Sequence, residues 1–266
     1  MPRHPRLDHA LVDQGLADTR SRAKALILAG DVMVNGQRET RSGHPVNATD
    51  AIALRRKPRF ASRGGEKLDH ALAAFEIDVS SLVAADFGAS TGGFTDCLLQ
   101  RGARRVYAID VGYGQLDERL RLDDRVTVME RTNVRYLESL PEPIDVVVID
   151  VSFISLALMF PVVARVLSSD GVCVPLIKPQ FEAGREDVGK GGVVRDPAIH
   201  RKVVGEVARN AEKHGLSVAG LVASPLKGPA GNVEFLAHLS RMPGSQEIDT
   251  MIDHALGEAA VIGSTP

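Results

Sequence analysis

The apolar positions of the first thirty residues recur at helical spacing. Leu7, Ala10 and Leu11 form one stripe, ended by Gly15. Ala23, Leu26 and Ile27 form a second, which Asp18 or Thr19 can cap and Gly30 stops. Val32-Met33-Val34 then leads into Asn35-Gly36, a hairpin signal because Asn-Gly accepts the positive φ of a tight turn. From residue 82 the pattern changes. Residues 83–86, 106–110, 126–129, 144–150 and 172–177 are near-continuous apolar runs separated by helical stretches. Such runs predict strands covered on both faces, as in a parallel sheet. Pro175 is expected to interrupt the ladder of the fifth run. A helix is predicted over residues 197–214, followed by strands near 216–223 and 232–239. The pattern is that of an α/β chain: a Rossmann-like, doubly wound seven-stranded sheet preceded by a small N-terminal α+β domain. Arg55-Arg56-Lys57-Pro58-Arg59 punctuates the two patterns. The expected organisation is a domain at 1–54, a linker at 55–61 and a body at 62–266.

Charge sharpens the division. Residues 1–60 hold 11 Lys/Arg against 6 Asp/Glu, a net of +5, and the remainder nets −7. A basic end on an acidic body suggests a nucleic-acid-facing module. Arg20 and Lys24 lie four apart and share one helix face, with Arg22 to its side. Arg3, Arg6, Arg38 and Arg41 can extend that surface. No apolar run approaches the ~18 residues that a bilayer span needs. The start, Met1-Pro2-Arg3-His4-Pro5-Arg6, lacks the apolar stretch of a signal peptide. The expectation is a soluble, cytoplasmic protein, with nothing demanding more than a monomer or an obligatory protein partner. Cys97 and Cys173 sit in apolar patterns without metal-ligand spacing. They are expected to be two small buried thiols, with no metal site.

The predicted strand ends carry the candidate chemistry. Asp86, Asp110, Asp150 and Lys178 close the first, second, fourth and fifth apolar runs. In open α/β sheets ligands bind beyond the carboxyl ends of the strands, so these four describe a site. Asp86-Phe87-Gly88-Ala89-Ser90-Thr91-Gly92-Gly93-Phe94 joins the first strand to a helix. It does not fit the dinucleotide fingerprint, because Ser90 occupies the second glycine position, and no Walker lysine follows. Its D-x-G-x-x-x-G-G form resembles the first motif of S-adenosylmethionine-dependent methyltransferases. That resemblance implies that Asp110 accepts hydrogen bonds from ribose hydroxyls, that Val111 flanks an adenine and that Asn133 meets its edge. The acceptor is narrowed by elimination. After the fourth strand the chain reads Asp150-Val151-Ser152-Phe153, without the proline pair common in amino-methyltransferases, and neither cysteine stands in the Pro-Cys setting of cytosine-C5 enzymes.

Two family resemblances follow from these segments. The stretch from Arg6 to Gly36, above all Ser21-Arg22-Ala23-Lys24-Ala25-Leu26-Ile27 and Val34-Asn35-Gly36, resembles the alpha-L RNA-binding module. It implies RNA contacts from Arg3, Arg6, Arg20, Arg22 and Lys24. The body resembles the FtsJ-like ribose 2′-O-methyltransferases. The whole chain resembles the TlyA family of ribosomal RNA 2′-O-methyltransferases, also labelled haemolysin A. The matching segments are Ser62-Arg63-Gly64-Gly65-Glu66-Lys67-Leu68, 86–94, 110–116, 130–133, 150–155, Lys178-Pro179-Gln180-Phe181-Glu182 and Gly231-Asn232-Val233-Glu234. This resemblance implies a Lys-Asp-Lys-Glu tetrad at Lys67, Asp150, Lys178 and Glu234. It also implies S-adenosylmethionine contacts from Ser62, Gly64, Asp86, Gly88, Ala89, Ser90, Thr91, Gly92, Gly93, Phe94, Asp110, Val111, Asn133 and Asp150, with Arg63 on the RNA.

The implied substrate is cytidine in ribosomal RNA, of the small subunit and open as to the large. Lys178 would lie beside the 2′-hydroxyl, either as base or as the stabiliser of developing charge. A free lysine titrates near ~10.4, so the base role requires a depressed pKa. The segment before Ser62, Pro58-Arg59-Phe60-Ala61, departs from the aromatic-containing linker of some members. Gly189-Lys190-Gly191-Gly192-Val193-Val194-Arg195 is expected to border the substrate groove. Two rivals stand: a membrane-active haemolysin, which needs an amphipathic membrane segment that the pattern lacks, and a non-catalytic RNA-binding assembly factor.

Overall fold

The structure is a computed structural model that describes residues 5–17, 19–54, 59–242 and 247–264. Arg3, the candidate cap Asp18 and the basic linker at 55–58 lie outside the described residues, as does the side chain of Arg22. Two compact units divide the chain, Met1–Pro58 and Arg59–Pro266.

The first unit packs helices α1 (Leu7–Asp13) and α2 (Arg20–Ala29) with a three-stranded antiparallel sheet of order β2-β1-β3. Its strands are β1 (Val32–Val34), β2 (Gln37–Arg38) and β3 (Ile52–Leu54). Helix α1 ends in a Schellman arrangement. Gly15 takes φ +69°, Leu16 N–H donates to Leu11 O and Gly15 N–H donates to Val12 O. Asn35 and Gly36 both have positive φ and pair Val34 with Gln37, the primed turn that matches strand twist. Leu7, Leu11, Ala23, Ile27 and Val32 are fully buried between the layers. β3 went unread in the sequence, because three residues are too few to show a period. In the first turn of α1, Asp8 is buried and pairs with Arg6 at 3.0 Å and with Arg20 at 3.3 Å.

The second unit is built on a seven-stranded sheet of order β6-β5-β4-β7-β8-β10-β9. Its strands are β4 (Val83–Phe87), β5 (Arg105–Ile109), β6 (Val126–Met129), β7 (Ile144–Ile149), β8 (Leu167–Ile177), β9 (Ser217–Ala223) and β10 (Phe235–Ser240). All neighbours are parallel except β10, which runs antiparallel to both β8 and β9. Alternate residues feed opposite layers, as the period of a pleated strand requires. Ala84, Val106, Val146 and Val174 pack with α3 (Gly64–Ala74) and α4 (Gly93–Gln100). Ala85, Tyr107, Val147 and Cys173 share the other core with α6 (Phe160–Val166), α8 (Pro197–Glu212) and α9 (Ile248–Ser264). Two short helices complete the unit, α5 (Glu118–Arg121) and α7 (Pro179–Glu182).

Three sequence readings change. Asp86 does not close its strand but lies inside β4, fully buried, because the apolar run continues through Phe87. Pro175 does not break β8. The strand runs through it, and only the β10 pairing skips, from Leu176 to Cys173. The last strand starts at Phe235, so Glu234 immediately precedes it. Because β10 is antiparallel, Glu234 nonetheless reaches the edge where the parallel strands end. α9 was not read from the sequence at all.

Leu11 is fully buried in the small N-terminal core. Leu11→Ala should lower the stability of this unit by about 2–5 kcal/mol. In the full chain, amides of α1 and α2 should then exchange hydrogen faster while those of β4 and β7 do not. Unchanged exchange in α1 and α2 would contradict the assignment of this core.

Candidate active site

The strand order reverses at β4, which has β5 on one side and β7 on the other. A crevice opens at such a point, beyond the carboxyl ends. Gly88 follows β4 with φ +89°, and a Cβ there would stand 2.7 Å from the carbonyl oxygen of Asp150. Only glycine fits that approach. Asp150 follows β7 and Lys178 follows β8.

Two cavities open at these ends. The first, about 470 Å³, is lined by Gly88, Ser90, Asp110, Val111, Asn133 and Asp150, among others. The second, about 550 Å³, is lined by Ser62, Arg63, Gly64, Lys67, Asp150, Lys178 and Glu234, with Gly191 and Gly192 of the 189–195 loop. Asp150, Ser152 and Phe153 line both, so the cavities adjoin there.

The four residues expected as a tetrad all line the second cavity. They form two ammonium–carboxylate pairs. Lys178 Nζ stands 2.7 Å from Asp150 Oδ1, and donates to Val151 O and Ser152 Oγ at 3.0 Å each. Lys67 Nζ donates to Glu234 Oε2 at 2.5 Å, and both side chains are buried. Lys67 reaches inward because it lies on the buried stripe of α3 with Leu68, Ala71 and Leu72. Among the described residues no cluster could hold a metal ion.

The glycine-rich turn divides into contacts and supports. Gly88 and Ser90 face the first cavity, and Ala89 a small neighbouring space. Thr91 is exposed and lines neither of the two large cavities. Gly92 and Gly93 are packing positions: a Cβ at Gly92 would strike Leu120, and one at Gly93 would strike Ser62 Oγ. Phe94 is buried in the core shared with α3. Asp86, expected at the ligand, lines neither large cavity. Its Oδ2 accepts from Thr95 Oγ1 at 2.7 Å, and its buried Oδ1 has no partner. Burial above all, offset by the Thr95 hydrogen bond and reinforced by the charges of Asp150 and Asp110, pushes its carboxyl up to about 7. Asp110 accepts from Ser90 N–H at 2.8 Å and from Gly112 N–H at 2.6 Å, which fixes the turn across the first cavity. Asn133 caps the turn at Val134–Tyr136 by accepting from Arg135 N–H.

The sequence reading did not assign Gln115, Thr132, Arg135, Ile154 or Met159 to the first cavity, nor Gln180, Phe181, Ala230 or Asn232 to the second. Gln115, Thr132, Ile154, Gln180, Phe181 and Asn232 lay inside segments that carried the resemblance, which was the available signal. Phe153 is 90% exposed, in the left-handed region at φ 62°, with its ring 4.9 Å from that of Phe181. Both cysteines are buried in opposite cores. Burial pushes both thiols up, Cys97 to about 12, so neither is a nucleophile. In the N-terminal unit, Arg6 and Arg20 hold Asp8 and are about half exposed, and Lys24 is exposed.

The model of the FtsJ-like methyltransferases matches residues 60–241. The chain belongs to this family. The model of the S4 domain matches residues 5–52, so an S4 domain precedes the FtsJ-like domain. The chain is 44% identical to the 16S/23S rRNA (cytidine-2′-O)-methyltransferase TlyA of Mycobacterium tuberculosis, over 97% of this chain and 99% of that protein. It is 43% identical to Hemolysin A of Brachyspira hyodysenteriae, over 88% of this chain and 98% of that one. A solved structure from Streptococcus thermophilus, described provisionally as a hemolysin, superposes with a TM-score of 0.75 at 44% identity. That match covers 97% of this chain and 96% of the other.

Asp86 yields a pH signature. Its carboxyl keeps a proton in the folded chain up to about pH 7, whereas in the unfolded chain it loses it near 3.8. Its contribution to stability is therefore full below the unfolded value and is lost as pH rises through the folded one. Asp86→Asn removes that loss. The melting temperature of the variant minus that of the wild type should rise between pH 5 and pH 8. A difference independent of pH would show that Asp86 is already ionised.

Proposed function

We propose that this FtsJ-like chain is an S-adenosylmethionine-dependent methyltransferase acting on the ribose 2′-hydroxyl of cytidine in ribosomal RNA. One observation carries the reading: Lys67, Asp150, Lys178 and Glu234 converge on one cavity, which adjoins a second cavity at Asp150. The first cavity has the volume of a small-molecule site and suits the cofactor. The side-chain-free approach of Gly88 to Asp150 keeps its floor open. Asp110 offers carboxylate oxygens to ribose hydroxyls, and Val111, 67% exposed, offers an apolar face to the adenine. Asn133 stands on the same cavity to meet the base edge. Ser62 and Gly64 line the second cavity and approach the cofactor from the acceptor side. When bound, the cofactor supplies an activated sulfonium methyl.

The chain's own task is to align the acceptor oxygen and manage its proton. Lys178 has three acceptors within 3.0 Å, the surroundings of an ammonium. That favours the stabiliser over the base: Lys178 exchanges its bond to Ser152 Oγ for one to the hydroxyl oxygen and offsets the negative charge that grows as the hydroxyl proton passes to solvent water. Asp150 aims the ammonium from the side shared with the cofactor cavity. The buried Lys67–Glu234 pair lines the same cavity. Phe153, exposed where the cavities adjoin, gives an unstacked base an aromatic face. Arg63, exposed on the second cavity, meets phosphate. The S4 domain adds sequence-independent RNA contacts through its basic residues, among them Arg6, Arg20 and Lys24.

Ribosomal RNA of both subunits is supported by the name of the Mycobacterium tuberculosis relative. Such a substrate places the reaction in the cytoplasm. Over the hemolysin name carried by other relatives, the FtsJ-like match across residues 60–241 supports the methyltransferase reading; no helix among the described residues is long and apolar enough to cross a membrane.

Mapping 2′-O-methyl groups on ribosomal subunits incubated with the protein and cofactor tests the reading directly. Lys178→Ala should lower methyl transfer by about 10²–10³-fold or more, while calorimetric binding of S-adenosylmethionine persists. Wild-type turnover in that variant would remove Lys178 from the reaction. No new 2′-O-methyl group with the wild type would remove the function.

A further inference from the structure

The segment that carries Lys178 is sewn to the segment that carries Asp150 by contacts at both ends. At one end lie the Lys178–Asp150 ion pair and the Lys178 hydrogen bonds to Val151 O and Ser152 Oγ. In the middle the rings of Phe153 and Phe181 meet. At the far end the Glu182 carboxylate accepts from Ser155 Oγ at 2.7 Å and from Leu156 N–H at 2.9 Å. Lys178 and Glu182 bracket the same one-turn helix α7, so the chain closes into a ring. Within that ring Phe153 holds φ 62°, a strained conformation for a bulky residue that persists only where its surroundings over-determine it. Glu182 lines neither large cavity and touches no reacting group.

We propose that Glu182 is a positioning residue for methyl transfer: by anchoring Ser155 and Leu156 it fixes the 151–154 segment, and through Val151 and Ser152 it sets the place of the Lys178 ammonium and of the exposed Phe153 ring. This rests on the methyltransferase reading above. Without Glu182 the segment keeps its Lys178 end and the Phe153–Phe181 contact but loses its far anchor. The left-handed backbone at Phe153 can then relax, and Lys178 loses the fixed carbonyl and hydroxyl that aim it. The carboxylate suits the task because it is mostly withdrawn from water, where two hydrogen bonds to a charged acceptor are strongest. Burial pushes this carboxyl up, against the lowering effect of the two hydrogen bonds.

The test compares Glu182→Ala, Glu182→Gln and Ser155→Ala in the full chain with ribosomal subunits as substrate. Losing hydrogen bonds to a charged group should lower kcat by about 10- to 100-fold in Glu182→Ala. Affinity for S-adenosylmethionine, referred to the folded fraction, should fall by less than kcat, because residues 151–154 line the cofactor cavity while its Gly88 and Asp110 contacts stay intact. Glu182→Gln keeps an oxygen for Leu156 N–H and should restore most of kcat. The Ser155→Ala and Glu182→Ala losses should be less than additive, because both cut one link. Amide exchange should quicken at residues 151–156 and not in β4 or β7. Wild-type kcat in Glu182→Ala overturns the proposal. So does a loss of kcat matched by equal losses of cofactor binding and melting temperature, which marks a merely structural role. If the wild type transfers no methyl, the function reading fails instead, and the exchange at 151–156 still reports whether Glu182 holds the segment.

Discussion

The site depends on a steric constraint at the centre of the sheet. Where strand order reverses, the chain leaving β4 passes the chain leaving β7 so closely that a single carbon on Gly88 would overlap the carbonyl of Asp150. Asp150 N–H donates to Phe87 O at 2.9 Å, so the contact is held as well as permitted. With that approach fixed, the chain after β4 turns away to one side and forms the glycine-rich loop. The chain after β7 turns to the other and forms the Phe153 segment. The two cavities are the two spaces so created, and Asp150 belongs to both because it stands at their divide.

Much of this was legible in the sequence, for reasons that differ by element. The parallel strands were visible because burial on both faces leaves runs of Val, Ile and Ala with no polar partner. The Asn35-Gly36 turn was visible because few residue pairs tolerate two positive φ angles. Of the tetrad, Asp150 and Lys178 were legible as charged strand ends, whereas Lys67 and Glu234 were legible only through resemblance: they are 167 residues apart, and no periodicity relates them. Asp86 was misplaced because a carboxylate after an apolar run reads as a strand end. Here the run continues to Phe87, and the buried acid accepts from Thr95 and lines neither large cavity. Phe153 and Glu182 could not be assigned from spacing, since their roles arise from a tertiary contact between two short segments.

Charge in the N-terminal unit shows the same limit. The sequence reading gave Arg6 and Arg20 to RNA on count and helical face. Both also hold the buried Asp8, whose carboxyl the Arg6 hydrogen bond, followed by the weaker one from Arg20, brings down to about 2 despite burial. The fold needs these cations before any ligand arrives. About half of each side chain remains exposed, so one arginine can brace the unit and still meet a phosphate. Net charge locates such a surface, but it does not separate cations that face outward from those that neutralise the interior.

The Lys67–Glu234 pair bears on why the second cavity is ionic at all. Both side chains are withdrawn from water, and taking two charges out of water costs several kcal/mol per ion before their attraction offsets it. Two apolar residues of similar size would serve stability as well or better. Stability alone therefore does not account for the pair. Its geometry does something an apolar contact would not: it ties the start of α3 to the start of β10 in one orientation and sets a fixed dipole on the cavity that Lys178 and Asp150 also line. Under the proposed reading that dipole is in place before substrate enters, so the field at the acceptor oxygen needs no reorganisation as its proton leaves. A buried ion pair that is weak as a source of stability is well suited to that preorganisation.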